Sequence, residues 1–131
     1  MVEKIHYEKE LISLIIRNDF YKEGLEFFTD DLSFQQLGYM NRDAGYEIPP
    51  HIHNVVTRSI DRTQEVLFIK SGRVRIDYYN QNKVFLESKI VCKGDIILLA
   101  SGGHGFYMLE KSEIVEVKQG PYCGDADKTR F

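Results

Sequence analysis

A stripe of leucine and isoleucine side chains recurs at helical spacing near the start of the chain. Two glutamates stand before this stripe and Arg17 follows it, an arrangement that suits the dipole of a helix. We therefore predict a helix from Tyr7 to about Asn18, within an N-terminal helical segment that covers residues 1–31. The residues of the stripe are Leu11, Ile12, Leu14, Ile15 and Ile16.

Beyond this segment, apolar and polar residues alternate with the two-residue period of β-strands, and turn residues recur at short intervals. The clearest predicted strands are 65–70 and 73–79, joined around Gly72. Many short antiparallel strands with tight turns indicate a β-sandwich or a β-barrel. The other predicted strands are 32–40, 83–91, 95–100, 106–109 and 114–119.

Length and composition suit one ordinary globular domain. A chain of 131 residues with 43% hydrophobic and 28% charged residues can bury a core and is too apolar for a disordered protein. We predict a single domain over residues 1–131, with the β-structure in 32–119 and a polar tail in 120–131. The net charge of −3 argues against nucleic acid or a membrane surface as a partner.

Targeting features are absent from the sequence. No apolar run approaches the roughly 20 residues of a membrane-spanning helix, and the N-terminus does not resemble a secretory signal. We therefore expect a cytoplasmic protein. Cys92 and Cys123 form no CxxC motif, so reduced thiols are the simpler expectation, although two cysteines also allow a disulfide.

Alternation along the predicted strands assigns side chains to the two faces of a sheet. It places Glu65, Leu67 and Ile69 on the interior face. Val66 and Phe68 then point outwards, where the N-terminal helix or a second copy of the chain must cover them, so we predict a homodimer. The other residues predicted to face the interior are Val74, Ile76, Tyr78, His104, Phe106, Met108, Val115, Val117 and Gln119.

Candidate chemistry begins with two histidines. His51 and His53 are two residues apart, so on an extended strand both imidazoles project to one face and can reach one metal ion. Pairs at this spacing are also common on protein surfaces. The chain has four histidines in all, and a site that also included His104 would leave only His6 without a role.

Two segments of the chain resemble the two motifs of the cupin superfamily, G-x5-H-x-H-x3,4-E-x6-G and G-x5-P-x-G-x2-H-x3-N. Together they span the middle half of the sequence. The matching positions are Gly45, His51, His53, Glu65 and Gly72 in the first motif, and Gly94 and His104 in the second.

The cupin resemblance implies a small antiparallel jelly-roll β-barrel that holds a metal. Carried over by position, the metal ligands are His51, His53, Glu65 and His104. Such a ligand set suits one divalent transition metal, and iron, manganese, zinc, nickel and cobalt all fit it. One or two coordination positions would remain for water or substrate.

The sequence departs from the cupin motifs in its spacing. Eleven residues separate His53 from Glu65, where the motif has three or four, and Gln64 is the nearest competing side chain. In the second motif Ala100 replaces the proline, the histidine comes one residue early, and Met108 stands where asparagine is expected. We interpret the longer gap as a loop insertion.

Substrate-binding candidates lie in this insertion and on the predicted strands. Arg58 and Arg62 could clamp an anionic substrate, or they could be solvated charges paired with Asp61. Tyr78, Tyr107 and Gln119 could line the cavity, or they could be ordinary packing residues. The tail also has two interpretations. It is an ordinary, partly ordered terminus, or Tyr122, Asp127, Lys128 and Arg130 fold back over the barrel mouth and supply charges for a substrate or a neighbouring subunit.

Two functions remain open from the sequence. The first is a metal-dependent enzyme for a small anionic or sugar-derived metabolite, with isomerase, epimerase or oxygenase chemistry at the metal. The tail resembles those of small cupins linked to bacterial surface-polysaccharide genes, which implies polysaccharide biosynthesis. The second is a non-catalytic binding or sensing module, in which the metal is structural or holds the ligand.

Overall fold

The computed structural model describes residues Met1–Phe131 and shows an all-β protein with ten strands and one short 3-10 helix, Gly124–Asp127. No helix has the length and apolar character needed to cross a membrane. The strands are β1 (Val2–Tyr7), β2 (Glu10–Ile16), β3 (Gly24–Phe27), β4 (Gly38–Asn41), β5 (Glu65–Ser71), β6 (Arg73–Tyr79), β7 (Phe85–Cys92), β8 (Ile96–Leu99), β9 (Gly103–Met108) and β10 (Glu113–Lys118).

The predicted N-terminal helix is wrong, because its residues form strands β1 and β2. These pair as an antiparallel hairpin that turns at Glu8, whose φ is +56°. Strand β2 lies between β1 and β8, and Ile12 to Ile16 are all buried. A strand that is covered on both faces has apolar residues at almost every position. A short continuous run of this kind also has apolar residues at helical spacing, so it does not distinguish a buried strand from a helix. Three of the seven residues of β2 are β-branched isoleucines, which favour a strand.

The chain forms two compact units. The loop unit is Tyr21–Arg62, and its only regular structure is the hairpin of β3 and β4. The predicted strand at 32–40 is reduced there to β4. The two-sheet unit comprises Met1–Phe20 and Thr63–Phe131 and contains the other eight strands. The single domain over residues 1–131 stays a prediction.

The two-sheet unit contains a five-stranded sheet of order β1-β2-β8-β5-β10 and a three-stranded sheet of order β7-β6-β9, all antiparallel. Residues of both sheets share one apolar cluster, in which Ile15, Ile69 and Ile97 contribute from the larger sheet and Ile76 from the smaller. The sheets do not join at their edges, so the closed barrel implied by the cupin resemblance does not form.

The predicted interior faces of β5 and β6 are confirmed. Leu67 and Ile69 are buried, and Val74, Ile76 and Tyr78 are completely buried. The turn between these strands does not make a hairpin, however, because β5 and β6 belong to different sheets. The chain therefore turns a corner from one sheet to the other.

The predicted interior face of β10 is wrong. Ile114 pairs with Ile69 and Glu116 pairs with Leu67, so Ile114 and Glu116 share the face that points to the core. Val115 is on the other face and is half exposed. The register of this strand pair shifts between Glu113 and Ile114, and such an irregularity is invisible in the alternation of residue types.

A buried ionic cluster connects strand ends of the two-sheet unit. Arg17 donates to Glu3 Oε1 at 2.7 Å and to Asp95 Oδ2 at 2.9 Å. Asp95 is only 3% exposed, and it also accepts hydrogen bonds from the backbone N–H groups of Asn18 and Cys92. The hydrogen bond from Arg17 lowers the pKa of Glu3 although burial opposes this shift.

Candidate functional site

Two of the four predicted metal ligands lie next to each other in the two-sheet unit. Glu65 begins β5 in the larger sheet, and His104 is the second residue of β9 in the smaller sheet. The distance from His104 Nε2 to Glu65 Oε2 is 3.6 Å. The side chain of His104 is 28% exposed and that of Glu65 is 14% exposed, so the pair is largely shielded from solvent.

The surroundings of this pair shift both pKa values towards the neutral forms. Burial raises the pKa of Glu65, and the charge and hydrogen bonding of the neighbouring Glu116 raise it further, whereas Lys118 and Lys128 act in the opposite direction. Burial lowers the pKa of His104, and Lys128 adds to this effect while Glu116 opposes it. A neutral imidazole beside a carboxyl group is able to accept a proton or to bind a metal.

His51 and His53 lie in the loop unit, where residues 42–62 contain no strand. Both are exposed, their ring centroids are 5.4 Å apart, and His51 Nδ1 lies 2.9 Å from the carbonyl oxygen of Pro49. No strand is therefore present to direct both rings to one face. In the structure, no group of three or more His, Cys, Asp or Glu side chains is arranged to hold a metal ion. The four-ligand set stays a prediction.

The Glu65–His104 pair itself has a separation that suits two metal ligands. Ligand atoms about 2.1 Å from a tetrahedral metal are roughly 3.4 Å apart, close to the observed distance. Gln64, the competing side chain, is 7% exposed and donates instead to the carbonyl oxygen of Ala100 at 3.2 Å. Of the adjacent residues Gln64 and Glu65, it is therefore Glu65 that faces His104.

The two arginines predicted to bind a substrate are exposed residues of the loop unit. Arg62 lies 3.8 Å from Asp61, and its guanidinium is 5.9 Å from the ring centroid of Phe34. This is the ion pair expected for a solvated surface charge. Arg58 is fully on the surface.

Of the two tyrosine candidates, Tyr78 is a core packing residue and Tyr107 lies on the surface. Tyr78 is completely buried and its hydroxyl is hydrogen-bonded to Ser13 Oγ, 3.1 Å away. Burial raises the pKa of Tyr78 to about 12. Tyr107 is exposed, and the guanidinium of Arg75 lies 5.0 Å from its ring centroid. The side chain of Arg75 is also held by Asp77.

Gln119 is the candidate that lies near the pair along the strands. It follows Lys118, which pairs with Glu65 in the register of β5 and β10. Its Oε1 accepts a hydrogen bond from the backbone N–H of Gln64 at 2.6 Å. Its Nε2 is buried and has no hydrogen-bond partner. The Nε2 amide group of Gln119 is therefore a hydrogen-bond donor without an acceptor, close to the start of β5.

Sequence reasoning missed Glu116. The correct register of β10 would have identified it, because it shares the interior face with Leu67. Lys128 was named only as one of four tail residues that could fold back over the site, and the residue pattern did not distinguish it from the other three. Cys92 and Cys123 are both free, so neither belongs to a disulfide.

A groove of about 480 Å³ lies elsewhere in the two-sheet unit. It is formed by the turn between β1 and β2 and by the turn after β6, with a lining of Tyr7, Glu8, Lys9, Glu10, Asn80, Gln81 and Asn82. It is open to solvent and contains neither Glu65 nor His104. We therefore take the Glu65–His104 pair, and not this groove, as the candidate site.

Comparisons with known protein families, with curated proteins and with solved structures found no match. The resemblance to cupins consequently stays a prediction, and the function must be argued from the site.

Proposed function

We propose that this protein binds a divalent transition metal through Glu65 and His104, and that it acts through this site on a small anionic or sugar-derived metabolite. The observation that carries the proposal is the 3.6 Å separation between His104 Nε2 and Glu65 Oε2. Two strands of different sheets bring these atoms together, although the residues are far apart in the sequence.

The electrostatics of the pair support the same proposal. The largely buried carboxyl group of Glu65 neighbours the more exposed carboxyl group of Glu116, and the two repel one another when both are ionised. A bound cation would relieve this repulsion and favour the ionised carboxylates. A neutral imidazole, which burial of His104 favours, is the form that binds a metal.

The proposal extends to further metal ligands and to the type of reaction at the metal. The cupin resemblance is the reason for proposing His51 and His53 as further ligands, and for proposing isomerase, epimerase or oxygenase chemistry in polysaccharide biosynthesis. A metal with an open position would supply a Lewis acid for such reactions. Iron, manganese, zinc, nickel and cobalt are all compatible with imidazole and carboxylate ligands.

A non-catalytic binding module is the second candidate function. The observation that favours it is the buried Nε2 of Gln119, which has no hydrogen-bond partner and so offers a ligand a donor. Recognition of a ligand requires donors of this kind and needs no chemical step.

The test of the metal site is a Co²⁺ titration of metal-free protein, followed by absorption. We expect about one metal per chain, because the pair defines one site. Glu65→Gln should weaken Co²⁺ binding by at least about tenfold, since it removes a charged ligand. Gln64→Glu is the matched control, and it should change Co²⁺ affinity less because this side chain is directed to Ala100.

The contribution of the loop unit is measured in the same assay. We expect the double variant His51→Ala, His53→Ala to lose Co²⁺ if these residues complete the ligand set. Full metal occupancy in the double variant would remove them from the site. A larger loss in Gln64→Glu than in Glu65→Gln would contradict the role of Glu65.

We also propose a homodimer that uses the outward face of β5 and β10. Phe68, Val115 and Val117 share this face in the strand register and are 41%, 51% and 59% exposed. Burial of such an apolar patch would favour association. Sedimentation tests this proposal, and a monomer at micromolar concentration would contradict it.

A further inference from the structure

The last five residues of the chain, 127–131, form a tail segment that is fastened at both ends. At its start, Thr63 Oγ1 donates a short hydrogen bond to Asp127 Oδ1. At its end, the ring of Phe131 packs edge-on against Tyr79, with ring centroids 5.1 Å apart. The Phe131 ring also lies against Gly103, where a Cβ atom would be 2.9 Å from its Cζ.

The two anchor points flank the two residues of the candidate site. Thr63 is two residues before Glu65 in the chain, and Gly103 immediately precedes His104. Thr63 leads into the larger sheet and Gly103 begins β9 of the smaller sheet. The tail segment therefore runs from one sheet to the other at the end of the unit where Glu65 and His104 meet.

Lys128 is the cation that the tail segment brings to this place. It directly follows the anchor residue Asp127, and its charge acts on both Glu65 and His104. Lys128 makes no ion pair within 4.0 Å. Arg130, in the same segment, differs because its guanidinium lies 3.9 Å from Asp125.

We infer that the tail segment is one wall of the site and that Lys128 selects a small ligand that carries a carboxylate. This inference rests on the proposed metal site, because Glu65 and Glu116 would repel an anion unless a cation were bound between the anion and these carboxylates. With a metal in place, the ammonium group offers a second positive charge beside it. Lysine binds such oxyanions as a point charge, without the fixed fork of arginine.

The test uses the full-length protein loaded with Co²⁺ and oxalate as the probe, followed by the change in the visible absorption of the metal. We expect Lys128→Met to weaken oxalate binding by about tenfold or more, as the loss of one charged hydrogen bond predicts. Its Co²⁺ affinity should stay within about twofold of the wild type. Arg130→Met is the matched control, since it removes one positive charge from the same segment, and it should bind oxalate almost normally.

A second variant tests the wall separately from the charge. Thr63→Val removes the hydrogen bond to Asp127 but keeps Lys128, and we expect it to weaken oxalate binding while the melting temperature stays near that of the wild type. Circular dichroism of each variant verifies that the β-structure is intact.

The outcomes separate this inference from the proposed function. If wild-type protein binds no Co²⁺, the metal site fails and the inference fails with it. If Co²⁺ binds normally but Lys128→Met binds oxalate as tightly as the wild type, only the role of Lys128 is overturned. An equal loss in Arg130→Met would also overturn it, because general electrostatic attraction would then explain the binding.

Discussion

Tyr78 illustrates how the face of a strand determines the role of a single side chain. Its position beside Ile76 on β6 places it in the core, and its hydroxyl meets Ser13 from the opposite sheet. Ser13 Oγ lies 2.9 Å from the carbonyl oxygen of Leu98 as well, so the hydroxyl pair connects three strands. Tyr78, which the sequence predicts as a candidate substrate-binding residue, therefore stabilises the fold instead.

Tyr78→Phe should lower the free energy of unfolding by about 1 kcal/mol, because the buried hydroxyl and its hydrogen bond are removed. Urea unfolding measures this difference. Tyr107→Phe is the control, since this tyrosine is 57% exposed, and its change should be close to zero. A destabilisation equal to that of Tyr78→Phe would contradict the assignment of Tyr107 to the surface.

Single residues of the site were predictable where a motif named them. Glu65 and His104 were identified from cupin spacing, and the structure brings these two together. Strand parity favoured Glu65 over Gln64, and in the structure Glu65 lies beside His104 whereas Gln64 is directed to Ala100. Lys128 was named only among four tail residues that could fold over the site, because its proximity depends on where the tail segment is anchored and not on any local pattern.

At the scale of elements, the corner between β5 and β6 depends on Gly72. Its φ is +88°, in the left-handed region that L-residues with side chains rarely adopt. A Cβ atom there would overlap the carbonyl oxygen of Lys111 and the side chain of Ser112. Only glycine fits this corner, which sends β6 into the smaller sheet.

Gly72→Ala should lower the free energy of unfolding by roughly 2–4 kcal/mol, the sum of a strained φ and a steric overlap. Thermal and urea unfolding measure this loss. Gly105→Ala in β9 is the matched control, since no atom lies within 4 Å of its added Cβ, and it should change stability by less than about 0.5 kcal/mol. If Gly72→Ala left stability unchanged, the conclusion that this corner requires glycine would be wrong.

Strand prediction succeeded where alternation was regular and failed where both faces were buried. Strands β5 and β6 appear almost as predicted, because one face of each is mostly apolar and alternates regularly with the other. Strand β2 was mistaken for a helix because Leu11 to Ile16 are nearly all apolar, which removes the two-residue period. The face of β10 was misassigned because Val115 and Val117 are more apolar than Glu116 and Lys118, although the strand pairing places the two valines outside.

At the scale of the whole molecule, two groups of charges affect stability with opposite signs. The hydrogen bond from Arg17 lowers the pKa of Glu3, so ionised Glu3 stabilises the fold above about pH 4.5, and this contribution is lost as the pH falls. Burial raises the pKa of Glu65, so ionising it destabilises the fold as the pH rises above 4.5.

At pH 7, in metal-free protein, Glu3→Gln should therefore be less stable than the wild type by roughly 1 kcal/mol, and Glu65→Gln should be more stable. Both differences should shrink as the pH falls below 4.5, where both glutamates of the unfolded chain become protonated. Urea unfolding at pH 7 and pH 4 measures them. Two differences of the same sign at pH 7 would contradict this account.

The Glu65–His104 pair also has a mechanical consequence for the molecule. Each residue belongs to a different sheet, so the two atoms approach only when the sheets are packed together. An ion or ligand that bound both residues would be a reversible crosslink between the two sheets, and it would connect two positions that are distant in the sequence. The concentration of such a bridging ion or ligand would then set how often the sheets separate.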